Sequence, residues 1–216
     1  MSDPTSIGEV FCRALRETIV NAKPKRLIET GTYTGLGSTQ CLLAAMRENN
    51  NGARLVTVEA NPGIYAVAIK NLKKDIDLGV VSVIHGHSLP ASRIKSVEQM
   101  VSEMEDNGYE PDEAQREANH CRKCGHFPGS PFDRMKVALS MLEGGVDFAL
   151  LDGNGYGGTD EFLYLLDIAK PPFIVALDDT KAIKHSQTVD IICKDSRFEV
   201  LSHGDDRWGH LIAEYR

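Results

Sequence analysis

Ile7, Val10, Phe11, Ala14, Leu15 and Ile19 recur at three- and four-residue intervals, the spacing that lines one face of a helix, and Pro24 sits in the break after them. "RLIET" (26–30) then reads as a short buried strand. The segment 38–47, "STQCLLAAMR", predicts a helix that the turn residues "NNNG" at 49–52 close. "RLVTVE" (54–59) predicts a second strand, Pro62 opens a helix reaching to about Asp75, and "VVSVIHG" (80–86) predicts a third strand. Beyond residue 144 the alternation resumes: strand "VDFALLD" (146–152), helix 159–169, strand "PFIVALDD" (172–179), helix 184–195. Apolar, mostly β-branched strands alternating with helices predict βαβ units built on a parallel sheet.

The end of the chain breaks that rule. "FEVLSH" (198–203) and "WGHLIAEYR" (208–216) are separated by the turn "GDDR", too short for a parallel crossover, so these two strands must run antiparallel. The expected fold is α/β: a doubly wound, Rossmann-like sheet of seven strands, six parallel and the last reversed, with helices on both faces. The chain is expected to form one domain over 1–216, with an insert or cap at about 91–144. Within the insert, Ile94, Val97, Met100, Val101 and Met104 predict a helix. The acidic, polar stretch "EDNGYEPDEAQREANH" follows it without an assigned element, the Gly- and Pro-rich "CRKCGHFPGSPF" reads as irregular, and Phe132, Met135, Leu139 and Leu142 suggest one more helix.

Composition narrows the partners. Apolar residues make up 42% and charged residues 25% of the 216 positions, as in ordinary globular chains, and the formal charge is −7. That acidity argues against a nucleic-acid surface, which needs clustered Lys and Arg. No apolar stretch approaches the ~20 residues of a membrane span, and "MSDPTSIGEVFCRAL" lacks the pattern of a secretory signal. Five cysteines without a regular framework suit a reducing compartment better than a disulfide scaffold, so a cytoplasmic location is expected.

Chemistry gathers at the strand ends, where open α/β sheets bind ligands. Glu29, Gly31, Gly35 and Gly37 follow the first strand, Glu59 ends the second, Ser88 follows the third, Asp152 ends the fourth, and Asp178 and Asp179 end the fifth. Acidic residues are costly to bury, so their alignment along one rim reads as a site, although short βα loops favour Asp, Gly and Ser for capping in any case. The first loop reads E-x-G-x-x-x-G, not the dinucleotide fingerprint G-x-G-x-x-G, and its acid would repel a pyrophosphate. Glu59 is placed to accept hydrogen bonds from a ribose diol. A ligand with adenosine and a cationic group but no phosphate fits both features.

"IETGTYTGLGS", "LVTVEANP" and "HGHSLP", together with the reversed last strand, resemble class I S-adenosylmethionine-dependent methyltransferases, over nearly the whole chain except 91–144. The resemblance implies cofactor binding by Glu29, Gly31, Thr32, Gly35, Ser38, Glu59, Ser88 and Asp152. "LLDGNGYGG" and "VALDDT" are most similar to the catechol O-methyltransferase-like small-molecule group. That similarity implies a divalent metal such as Mg²⁺ on Asp152, Asp178 and Asp179, a set of hard oxygen donors suited to such an ion. Two positions depart from that group: Gly155 stands where its lysine base would be, and Asp179 where its pair has Asn. The catalytic pair expected is Asp152 with His185 as the base, since imidazole titrates near neutrality; Lys181 and Lys184 read as solvent-facing charges.

"HCRKCGH" crowds His120, Cys121, Cys124 and His126 into seven residues, a spacing that disfavours a zinc tetrahedron closed by one chain. The expected activity is methyl transfer to an oxygen of a small-molecule acceptor, assisted by a metal. A non-catalytic nucleoside-binding module and a metal-dependent hydroxylase-like enzyme on the same fold remain alternatives. The apolar face of the first helix leaves a homodimer open.

Overall fold

Seven strands form one sheet in the order β3-β2-β1-β4-β5-β7-β6: β1 (Arg26–Thr30), β2 (Arg54–Glu59), β3 (Val81–His85), β4 (Phe148–Leu151), β5 (Phe173–Asp178), β6 (Phe198–Gly204) and β7 (His210–Tyr215). The computed structural model describes residues 9–125, 127–153 and 157–216. β1 pairs in parallel with both β2 and β4, and β4 with β5, while β7 runs antiparallel between β5 and β6. This is the predicted sheet, with β7 alone reversed. The order reverses between β1 and β4, the switch point at which doubly wound sheets open a crevice.

The central strands are buried along most of their length, and successive side chains feed opposite faces. Leu27, Leu55, Phe148 and Leu150 pack with Phe11, Leu15 and Ile19 of α1 (Glu9–Ala22) and Leu42, Leu43 and Met46 of α2 (Ser38–Asn49). Ile28, Val56, Ala149 and Leu151 face the other way, toward Met135 and Leu139 of α7 (Arg134–Met141), Phe162 and Leu165 of α8 (Gly158–Ile168) and Ile192 of α9 (Ser186–Lys194). The apolar stripe of α1 is thus engaged by the chain's own core. Cys12 of α1 and Cys41 of α2 form a disulfide with their Cα atoms 5.7 Å apart, which corrects the expectation of unpaired cysteines. The pairing joins residues separated by 29 positions, and only the side-by-side packing of the two helices brings them together.

The helix expected from Pro62 to Asp75 is two helices, α3 (Pro62–Asn71) and α4 (Lys73–Asp77), with Leu72 turned fully into the core at the junction. Asn61 caps α3 by accepting from the amides of Gly63 and Ile64, and Pro62 follows at the first helical position.

The insert departs further from expectation. α5 (Val97–Asp106) starts at a capping box between Ser96 and Gln99, and the polar stretch left without an element forms, together with the first residues of the segment expected to be irregular, a 15-residue helix, α6 (Pro111–Gly125). Met100 and Met104 of α5 pack on Ala114, Ala118 and Cys121 of α6, a small core separate from those of the sheet. The periodicity of α6 was hidden because its buried face carries alanine and cysteine rather than large aliphatic side chains. Among the described residues, no helix is long and apolar enough to cross a membrane.

Candidate active site

The strand tips and the α5–α6 hairpin enclose a cavity of about 1230 Å³. Glu59, Asp152, Glu161, Asp178 and Asp179 line it, as do Gly31, Thr32, Ser38 and Ser88. Most of the predicted site residues therefore come together. Three do not reach the cavity lining, and each has a physical reason.

Glu29 is fully buried beneath the first turn of α2, where its carboxylate accepts from Ser38 Oγ (2.7 Å), Thr39 Oγ1 (2.8 Å) and Thr57 Oγ1 (2.7 Å). Burial, partly countered by those three hydroxyls, pushes its carboxyl up to about 7. Glu29 ties the loop to β2 and α2 from behind the cavity lining. Gly35 is a packing position: its φ is +74°, and a Cβ there would come within 2.8 Å of the Leu72 side chain. Gly31 has both roles. It lines the cavity with φ +82°, and a Cβ would lie 2.1 Å from the carbonyl oxygen of Asp152, so only glycine allows the β1 and β4 tips to approach so closely.

His185 is the third. Its side chain is fully buried, and Nε2–H donates to the Leu151 carbonyl at 3.0 Å. Desolvation, then the charge of neighbouring Lys184, holds its pKa down to about 3, so the imidazole is neutral and faces the end of β4. This corrects the assignment of His185 as a base: it anchors the β5–α9 connection. The same segment is held from the other side, since Thr159 Oγ1 donates to the Lys184 carbonyl at 3.5 Å. A Cβ on Gly158 would come within 2.4 Å of that carbonyl oxygen.

The anchored segment delivers Lys184, which is only 8% exposed rather than solvent-facing. Its Nζ lies 2.6 Å from Asp152 Oδ1 and 3.1 Å from Asp179 Oδ2. The two carboxylates overcome desolvation and raise its pKa, so the ammonium stays charged. Asp178 keeps a different partner, the backbone amide of Asp179 at 2.9 Å. Burial and the charges of Asp152 and Asp179 push its carboxyl up to about 7. Lys181, by contrast, is exposed and donates to the Asp205 carbonyl at 2.5 Å.

The ligand set inferred for a metal is not assembled as one. An ammonium already sits between Asp152 and Asp179, at the place where a divalent ion would need oxygen donors at ~2.0–2.6 Å. Among the described residues, no group of three His, Cys, Asp or Glu side chains is arranged to hold a metal ion. Of the zinc candidates, Cys121 is buried in the hairpin core and His120 faces the cavity from α6, whereas His126 and the side chain of Cys124 lie outside the described residues. Gly155 also lies outside them.

On the other side of the switch point, Glu59 is oriented by two amides, Tyr33 N–H to Oε2 and Asn61 N–H to Oε1, each at 2.8 Å. Desolvation raises its pKa, partly offset by those amides. Sequence reasoning missed Glu161, in the first turn of α8. It is buried, lines the cavity, and accepts from Thr30 Oγ1 at 2.9 Å and from Ser88 Oγ. An acid in a first helical turn is so common that it carried no signal.

The sheet order, the reversed β7 and the crevice at the β1–β4 switch point define the Rossmann-like methyltransferase fold. Three solved structures illustrate the similarity. SAH-bound PaMTH1, a methyltransferase of Podospora anserina, superposes with a TM-score of 0.60 at 18% identity over 97% of this chain and 80% of that one. A Bacillus cereus O-methyltransferase in complex with SAH gives 0.60 at 14% identity, covering 99% and 84%. TomG of Streptomyces achromogenes, an O-methyltransferase of tomaymycin synthesis in complex with SAM, gives 0.57 at 14% identity, covering 98% and 82%. No family model matches the chain, and no curated protein aligns with it.

Proposed function

We propose that this protein transfers the methyl group of S-adenosylmethionine to an oxygen of a small-molecule acceptor. The observation that carries the reading is the lining of the cavity: five carboxyl groups and a bared glycine loop converge at the strand tips. Excess negative charge in a walled cleft concentrates a cationic ligand. The cofactors bound in the structures of similar fold support the same donor.

Glu59, with both oxygens fixed by amides, would accept from the ribose hydroxyls, and the loop at Gly31 and Thr32 would lie against the methionyl portion. The volume exceeds the ~300–1,000 Å³ typical of one small ligand, leaving room for an acceptor under the α5–α6 hairpin, which we regard as a cap on the same domain. The acceptor oxygen attacks the methyl carbon in line, the C–S bond breaks with its electron pair passing to sulfur, and the acceptor proton leaves. Because the sulfonium is already activated, positioning and proton removal are what the protein must supply. Asp178 lines the cavity and is outside the ion pairs of Lys184, so its carboxylate is the proton acceptor in this scheme. A carboxyl held near neutrality suits that role better than the buried imidazole of His185.

Titration calorimetry with S-adenosylhomocysteine and with NAD, followed by labelled-methyl transfer to a panel of phenols and carboxylic acids, tests the proposal. Micromolar binding of the nucleoside alone, with turnover, is expected. Binding without turnover on any acceptor would favour a non-catalytic module, and no binding at millimolar ligand would overturn the methyl-donor reading.

A further inference from the structure

We propose that Lys184 is a built-in cation that replaces a divalent metal in this site, so that the protein orients its acceptor without one. The proposal rests on the methyl-transfer reading for its chemistry but on geometry for its substance. The β4 and β5 tips present three acids, Asp152, Asp178 and Asp179, at the cavity wall. Such a cluster left alone would repel itself and favour either protonation or a bound cation. Here the ammonium of Lys184 lies within salt-bridge distance of two of the three, in a side chain only 9% exposed.

That placement is built, not incidental. The residue after Lys184 is locked to the end of β4 through the Leu151 carbonyl, and the Lys184 carbonyl abuts Gly158 and accepts from Thr159. An ammonium has three donors, of which Asp152 and Asp179 take two. Among the described residues nothing takes the third, which is the donor available to an acceptor oxygen; it would hold and polarise that oxygen as it loses its proton to Asp178. A tethered ammonium differs from a metal in offering one directed contact rather than several open coordination positions, so it orients one oxygen where an ion would chelate two.

The test uses the full chain, stripped of metal and titrated with Mn²⁺ while bound ion is followed by electron paramagnetic resonance. The native protein is expected to bind no Mn²⁺ at this cluster, and its methyl transfer is expected to withstand EDTA. Lys184→Ala, which removes the competing charge, is expected to gain one Mn²⁺ site at least about tenfold tighter than any in the native chain, and Lys184→Ala/Asp152→Asn to lose it again. Lys184→Gln, closer in size, repeats the measurement should the alanine variant fail to fold. Stoichiometric Mn²⁺ binding by the native protein that Asp178→Asn abolishes would overturn the proposal. So would the absence of any new Mn²⁺ site in both Lys184 variants. Binding of S-adenosylhomocysteine is measured on the same samples; its loss would count against the methyl-donor reading and leave the metal result standing.

Discussion

His185 and Lys184 are neighbours in the chain with opposite fates, and the difference between them sets the character of the site. The imidazole is sealed against the Leu151 carbonyl and kept neutral, while the ammonium beside it is kept charged by two carboxylates. A positioning role for His185 predicts a particular kinetic signature. His185→Gln should lower thermal stability, by about 1–3 kcal/mol for a disturbed buried hydrogen bond, and should lower kcat through a displaced Lys184. The midpoint of the pH–rate profile should stay where it is, because the group that titrates is elsewhere. A profile that loses its acidic limb in this variant would restore the histidine as the base.

Among the elements, the α5–α6 hairpin is distinctive because its buried core is drawn from its own two helices, with Ile183 of the β5–α9 connection packed against it. Val97, Met100, Met104, Ala114, Ala118 and Cys121 pack together apart from the two clusters that flank the sheet. The hairpin can therefore be disturbed while the donor side is left in place. Ala118→Asp puts an unpaired charge into that small core and should unpack the helices locally. Steady-state kinetics should then show a higher KM for the acceptor, by about tenfold or more, with donor affinity changed by less than about threefold. Unaltered acceptor kinetics in a variant whose hairpin amides exchange freely would remove the hairpin from the acceptor site.

For the molecule as a whole, buried acids set the response to pH. Glu29 and Asp178 hold their protons up to about 7, whereas the same groups in an unfolded chain release them near ~4. Between those values the folded state binds more protons than the unfolded state, so stability is highest on the acid side of this window and falls as pH rises through it. Glu29→Gln removes one of these groups. Denaturant unfolding from pH 4.5 to 7.5 should show a shallower loss of stability than in the native chain, with a difference on the order of 3 kcal/mol across the window. Equal slopes in the two proteins would mean that Glu29 is ionised throughout.

The sequence by itself determined the sheet, its reversed last strand and the rim of acids at the strand tips. These follow from short-range regularities: β-branched runs of strand length, helical spacing between them, and a connection before β7 too short to cross over. It could not reveal α6, whose buried face is built of small side chains, nor the Cys12–Cys41 disulfide, which depends on two helices lying side by side. The site was legible as a list of residues and not as an arrangement. Strand endings place Glu59, Asp152, Asp178 and Asp179 on one rim whatever the details, because strand direction alone carries them there. Whether a carboxyl faces the cavity or the core, as Glu59 and Glu29 do respectively, depends on which side of the loop the chain packs. Only the tertiary structure decided that Lys184 turns inward and His185 is sealed. Desolvation and charge act through space, and contacts that hold the pair, Leu151 to His185 and Asp152 to Lys184, reach across more than thirty residues of chain.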